Sequence, residues 1–341
     1  MPMRRDYADT YRGWPVAPRT RQHPVRGSFL DPRAGVEGQV YHHGIDISVR
    51  DDRPESGAPP GRTHRVFALE GGPVWHMFRS RTRDEGVVWI GHFGYGHVEP
   101  VVELGQVVQP GQMIAWTTAR QWHLHLSEWR FPGGDRERRV PVNPLDRAGK
   151  IAPFADASPP EIREVRFFSA ETPAWRVGLG RAVFPAAGSP LDPQHLSGQV
   201  DVRAWIEDEP SFRGWFRDVP LLQTAHHPAR VHLVVVRLED GTRVVDRDVF
   251  RADVTLAAQG PRPVPISHHF APGTRQNLRA KTALELGRPG RGELWFRLFA
   301  RAESPYWDTT RLRNGPYRIR IRAWDVAGNR SDDAVDVAIE N

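Results

Sequence analysis

Tyr317-Arg-Ile-Arg-Ile-Arg-Ala323 alternates without a break, with Tyr317, Ile319, Ile321 and Ala323 on one side and Arg318, Arg320 and Arg322 on the other. Side chains of a strand point alternately to its two faces, so this run predicts a β-strand with one buried face. Asp325-Val-Ala-Gly-Asn329 supplies a glycine-containing turn, and Val335, Val337 and Ile339 then alternate with Asp336, Ala338 and Glu340. Two period-two runs about a turn predict a hairpin. Val200 to Ile206 and Val231 to Leu238 read as further strands, and Glu239-Asp-Gly-Thr242 as another hairpin turn. Glycine and proline, 31 of each in 341 residues, favour many short strands and turns over long helices.

The same punctuation continues towards the N-terminus. Val40 to Val49, Val87 to Ile90, Val98 to Val102, Met113 to Thr117 and Trp122 to Trp129 are short β-like runs separated by Gly, Pro or polar residues. Arg53 to Thr63 reads as a surface loop. The expected fold class is therefore all-β. Residues 1–25 form a polar arm, 26–150 an antiparallel β-sheet domain, 151–161 a linker broken by Pro159-Pro160, and 162–341 a second β domain. That second domain resembles an immunoglobulin-like or fibronectin-type sandwich. Its roughly 180 residues exceed the ~100 usual for one such unit, so insertions are expected, for example around Pro261 to Gly292.

Composition bounds the chemistry. There is no cysteine, which excludes disulfides and thiolate metal sites, so any metal must be held by His, Asp or Glu. No run approaches 18 apolar residues, so no membrane span is expected. The start, MPMRRDYADTYRGW, lacks the apolar core of a secretory signal. Lys plus Arg outnumber acidic residues 47 to 41, a net charge of +6 that suits a soluble protein from an arginine-rich proteome and would also assist contact with anionic polymers. Neither paired zinc-finger ligands nor an RRM signature occurs, so nucleic acid is not an expected partner.

Two histidine groups stand out among the fifteen histidines. In Trp122-His-Leu-His-Leu126, Leu124 and Leu126 alternate with His123 and His125, which places both imidazoles on one face of a strand, about 6.5–7 Å apart. Such a pair is either simply exposed or convergent on one cavity. In His42-His-Gly-Ile-Asp46, a straight strand would hold His42 and Asp46 about 13 Å apart, too far for one metal. Gly44 permits a bend or bulge that brings them together. This motif reads either as a strand turn with a capping Asp or as two metal ligands, to which one further histidine would add the third of an open catalytic site.

Taken together, the motifs resemble the lysostaphin/LytM-type zinc endopeptidases, which cleave peptides of bacterial cell walls. The resemblance covers residues 24–146, where PVRGSFLDPR, YHHGIDISV, VFALEGGPV, YGHVEPVVELGQVVQPGQ, HLHLSEWR and PVNPLD occur in the family's order. It implies a zinc ion held by His42, Asp46 and His125, and a catalytic pair formed by His97 and His123. It also implies a peptidoglycan or related peptide substrate and an extracytoplasmic location. Trp122 departs from the family pattern in being bulky, and Ser127 in standing where many members have an acidic residue. One of His97 and His123 would serve as general base and the other as oxyanion donor, and the sequence does not divide these roles. The alternative is a metal-binding scaffold or a wall- or partner-binding module without turnover.

Other histidines carry less. His43 is expected on the opposite face from the ligands, and His92 to pack or to line a groove. Adjacent pairs such as His226-His227 and His268-His269 make poor chelates on a strand. The arginine row at 318, 320 and 322 is either a solvated face or a cradle for an anionic polymer.

Overall fold

A computed structural model describes residues 7, 9–35, 38–49, 53–80, 86–137, 139–146, 148–170, 188–209, 226–252, 266–274 and 293–341. It is all-β, with 48% of the described residues in strands and 3% in helix. The first group of strands is β1 (Val25–Gly27), β2 (Pro32–Gly35), β3 (Gly38–Tyr41), β4 (Ile45–Ser48), β5 (Arg62–Phe67) and β6 (Gly72–Arg79). It continues with β7 (Gly86–Ile90), β8 (Phe93–Pro100), β9 (Val107–Val108), β10 (Met113–Thr118), β11 (His123–Arg130) and β12 (Val140–Val142). Ten of these form one antiparallel sheet in the order β1-β4-β11-β8-β7-β6-β9, with β10 joining β8 to β5 and β12 on β11; β2 and β3 pair separately.

Alternation sets the two faces of this sheet. Ile45, Ile47, Leu124, Leu126 and Tyr95 are fully buried. Their neighbours Asp46, His123, His125 and Ser127 lie on the other side of the same strands. The sequence underestimated β8, which begins at Phe93 rather than Val98, because Gly94 and Gly96 weaken a strand reading. It also missed β5 and β6. The N-terminal arm is more tightly held than its polarity suggests. Trp14 and Val16 are fully buried, Val16 bridges Val66, and the Trp14 indole donates to the Pro153 carbonyl at 2.7 Å.

The later strands are β13 (Glu161–Ser169), β14 (Gln199–Glu207), β15 (Arg230–Arg237), β16 (Arg243–Arg251), β17 (Trp295–Arg297), β18 (Trp307–Asp308), β19 (Gly315–Trp324) and β20 (Arg330–Ile339). The expected linker thus yields its last residue, Glu161, to β13. The insertion expected around Pro261 to Gly292 falls mostly outside the described residues, although a short helix α1 (Ile266–His269) lies within it. Among the described residues no strand pairing joins the chain before Val142 to the chain after Glu161.

Two antiparallel sheets result, β13-β14-β17 with β18 on β14, and β16-β15-β19-β20. This sorting, first two strands with the fifth in one sheet and a hairpin pair on each side of the other's centre, is that of an immunoglobulin-like sandwich. The predicted hairpin is β19–β20, and Tyr317, Ile319, Ile321 and Ala323 are buried as expected. Tyr317 near the start of β19 donates its hydroxyl to the Arg313 carbonyl at 2.8 Å, the corner bond that such sandwiches use between strands of opposite sheets. Tyr317→Phe is expected to lower stability by about 1 kcal/mol in denaturant unfolding, since it removes one net hydrogen bond and keeps the ring. An unchanged midpoint would mean that the bond is idle. Two arginines of the row are paired across the hairpin. Arg318 faces Asp336 across the hairpin with two 2.7 Å bonds, and Arg322 pairs with Asp332 at 3.0 Å.

Candidate metal centre

Three neighbouring strands near the middle of the large sheet, β4, β11 and β8, carry the site. The chain bends at Gly44, between β3 and β4, and this brings His42 Nε2 to 3.2 Å from Asp46 Oδ1. His125 lies directly opposite Asp46 in the β11–β4 ladder, with Nδ1 3.0 Å from Asp46 Oδ1 and 2.9 Å from His42 Nε2. The three residues expected as ligands therefore converge. Gly44 has a stricter role than flexibility. A Cβ there would stand 2.6 Å from the Leu126 carbonyl and 2.8 Å from His125 Cε1, so only glycine lets the His125 ring approach.

Hydrogen bonds behind the cluster set which atoms face it. The Nδ1–H of His42 donates to the Ser28 carbonyl at 2.8 Å, leaving the Nε2 lone pair turned inward. Ser28 is itself fixed by Asp31, which accepts from its amide at 2.9 Å and its hydroxyl at 2.8 Å. His125 Nε2 meets Ser127 Oγ at 2.9 Å. Ser127 thus lies behind His125 and orients its ring, as hydrogen-bond partners behind metal-binding imidazoles commonly do.

Two nitrogens and a carboxylate oxygen, all acceptors when His125 presents its lone pair, lie 2.9–3.2 Å apart in a largely buried place. Either an Nδ1–H on His125 or a cation that takes all three lone pairs satisfies that arrangement. A tetrahedral ion bonded at 2.0–2.1 Å would space its ligands about 3.3 Å apart, so the donor set fits one. Burial alone would raise the Asp46 carboxyl, but the surrounding histidines His42, His125 and His123 outweigh it and hold the group well below the usual carboxylate range.

His97 and His123 flank the cluster with ring centroids 4.7 Å apart, and His97 lies 6.1 Å from His125. His123 is 3% exposed and donates Nδ1–H to the Gln121 carbonyl at 2.7 Å, so its Nε2 is an acceptor, 3.7 Å from Asp46 Oδ1. Burial pushes its pKa down to about 3, which keeps the ring neutral. His97 reaches the site through a bulge. Strict alternation would point it with Tyr95 towards the core, but Val98 pairs with Gly86 and Gly96 with Val87, which leaves His97 as the extra residue, at φ +60°. Among the described residues only Leu30, His97 and Trp122 are non-glycines with positive φ. All three sit beside this centre, and each costs on the order of 1–2 kcal/mol.

A cleft of about 470 Å³ opens from His125 along the same face. Alternate residues of four strands line it, among them Phe78, Trp89, Gly94, Gly96, Ser127 and Trp129. The two glycines keep its floor low: a Cβ on Gly94 would meet the Trp89 ring at 2.5 Å. Arg136 lies over Trp75 at 4.5 Å and Arg139 over Trp129 at 5.0 Å, which adds positive charge to an aromatic wall.

Several other histidines pack or pair outside the cluster. His43 does not point away as expected. The bend at Gly44 interrupts the alternation, and His43 packs edge-on to Trp129 at 5.7 Å. His92 pairs with Glu70 at 2.9 Å and stacks on Phe131. His226 donates to the Val25 carbonyl at 2.7 Å, His227 faces Asp31 at 3.6 Å, and His269 Nδ1 lies 2.7 Å from the Tyr41 hydroxyl. The sandwich histidines thereby brace the segment that carries His42. No family model, characterised protein or solved structure matches this chain.

Proposed function

We propose that this chain is a zinc endopeptidase that hydrolyses peptide bonds in peptidoglycan stem or cross-bridge peptides. The observation that carries the proposal is the convergence of His42 Nε2, Asp46 Oδ1 and His125 Nδ1 within hydrogen-bonding distance, with two further imidazoles beside them at the end of a cleft. His42, Asp46 and His125 would hold the ion, which when bound supplies a water of lowered pKa and polarises the scissile carbonyl. His123, whose Nδ1–H is committed to Gln121, accepts the proton of the attacking water at Nε2 and returns it to the leaving amine. His97 donates a hydrogen bond to the developing oxyanion.

The substrate class rests on the motif resemblance across residues 24–146 and on the cleft. Its glycine floor suits an extended backbone, and Arg139 on its wall, with Arg136 over Trp75, suits a peptide bearing carboxylates. Among the described residues no helix is long and apolar enough to cross a membrane. A wall substrate would put the enzyme on the extracytoplasmic side.

Metal analysis of the purified protein by mass spectrometry tests the proposal. Wild type should carry close to one zinc per chain, Asp46→Ala almost none, and only wild type should cleave wall peptides. Wild type that stays zinc-free after zinc is added back would discard the enzyme in favour of a binding module.

A further inference from the structure

A second cluster lies well apart in sequence from the histidines. Asp156 of the linker, Asp208 just beyond β14 and Asp325 in the β19–β20 turn each bring one carboxylate oxygen within 4.8 Å of the others. Asp208 is 5% exposed and Asp325 3%. The Asp325 oxygens are held by Asn329, through its amide N–H at 2.8 Å and its side-chain Nδ2 at 2.7 Å. The same Nδ2 reaches the Asp156 carbonyl at 2.8 Å, and the Ser158 amide donates to Asp156 Oδ1 at 3.0 Å. Asp208 differs. Its backbone pairs with His226, at 2.7 Å in each direction, but Oδ1 is buried with no hydrogen-bond partner. Among the described residues no lysine or arginine pairs with Asp208 or Asp325.

An ionised carboxylate buried this way is strongly unfavourable unless a positive charge joins it. We propose that Asp156, Asp208 and Asp325 form a second metal site, for a hard divalent cation of the calcium class, that clamps the linker to the sandwich. The donors are oxygens only, with no imidazole or thiolate, which favours calcium or magnesium over the ions that choose nitrogen and sulfur. The three oxygens lie within 4.8 Å of one another, a spacing that the flexible shell of calcium, with bonds of about 2.3–2.6 Å, accommodates. Partly exposed Asp156 leaves one side open for entry and for waters that complete the shell.

The test uses the full chain, stripped of metal and titrated with calcium chloride at pH 7.5, read by calorimetry and thermal unfolding. Wild type and His125→Ala should each bind one calcium with Kd of about 10 µM to 1 mM. Both should gain about 5 °C in Tm at a hundredfold excess over Kd. Asp208→Asn should bind none, show no calcium response, and melt without calcium at or above the wild-type temperature. Asp325→Asn serves as the second variant should Asp208→Asn not fold. No calcium binding by wild type up to about 10 mM would overturn the site, the triad then being satisfied by a shared proton. An undiminished calcium response in the Asn variants would overturn it equally.

Discussion

On the proposed function, His125→Ala is expected to lose metal and turnover together, whereas His123→Ala should keep its metal and lose turnover. His125 Nδ1 is within 3.0 Å of both Asp46 Oδ1 and His42 Nε2, so its removal opens the ligand set. Zinc affinity should fall on the order of 10²–10³-fold, the share of one ligand in a total zinc binding free energy of roughly 10–16 kcal/mol. His123 turns its Nε2 towards the cluster from 3.7 Å, beyond bonding range of Asp46, and supplies an acceptor rather than a ligand. Its loss should leave zinc stoichiometry intact and lower kcat by about 10²–10⁴. Zinc titration beside peptide hydrolysis separates the two variants. The reverse pattern, with zinc lost from His123→Ala and retained by His125→Ala, would exchange the two roles.

Gly44→Ala should be nearly as damaging although glycine contributes no functional group. The added methyl would collide with the Leu126 carbonyl, fixed in the sheet by β11, and with the His125 ring. The ring is the softer of the two, so it turns away from Asp46. The expected result is a zinc affinity close to that of His125→Ala, with about 1–3 kcal/mol of lost stability from overpacking. Zinc binding by Gly44→Ala within a few-fold of wild type would show that the bend has slack that the close packing does not suggest.

Much of this was legible in the sequence because the governing rules are local. Alternation revealed the β19–β20 hairpin and the shared face of His123 and His125, and Gly44 between His42 and Asp46 revealed the bend. What was not legible depends on pairing between distant segments. His97 joins the site through a bulge that only the ladder of β7 and β8 defines. Ser28 and the Gln121 carbonyl orient the imidazoles through backbone oxygens, which leave no mark on composition. The pairing of Arg318 and Arg322 was not legible because their aspartates belong to the partner strand. Asp156, Asp208 and Asp325 form no motif, since a linker, a strand end and a turn meet only when folded.

Strand β11 carries His123, His125, Ser127 and Trp129 at every second position, whereas Trp75, Phe78 and Trp89 lie on β6 and β7. Most of the aromatic wall of the cleft is thus carried on different strands from His123 and His125. On the proposed function, substitutions on β6 and β7 would change which peptide the cleft accepts while leaving His123 and His125 of β11 in place.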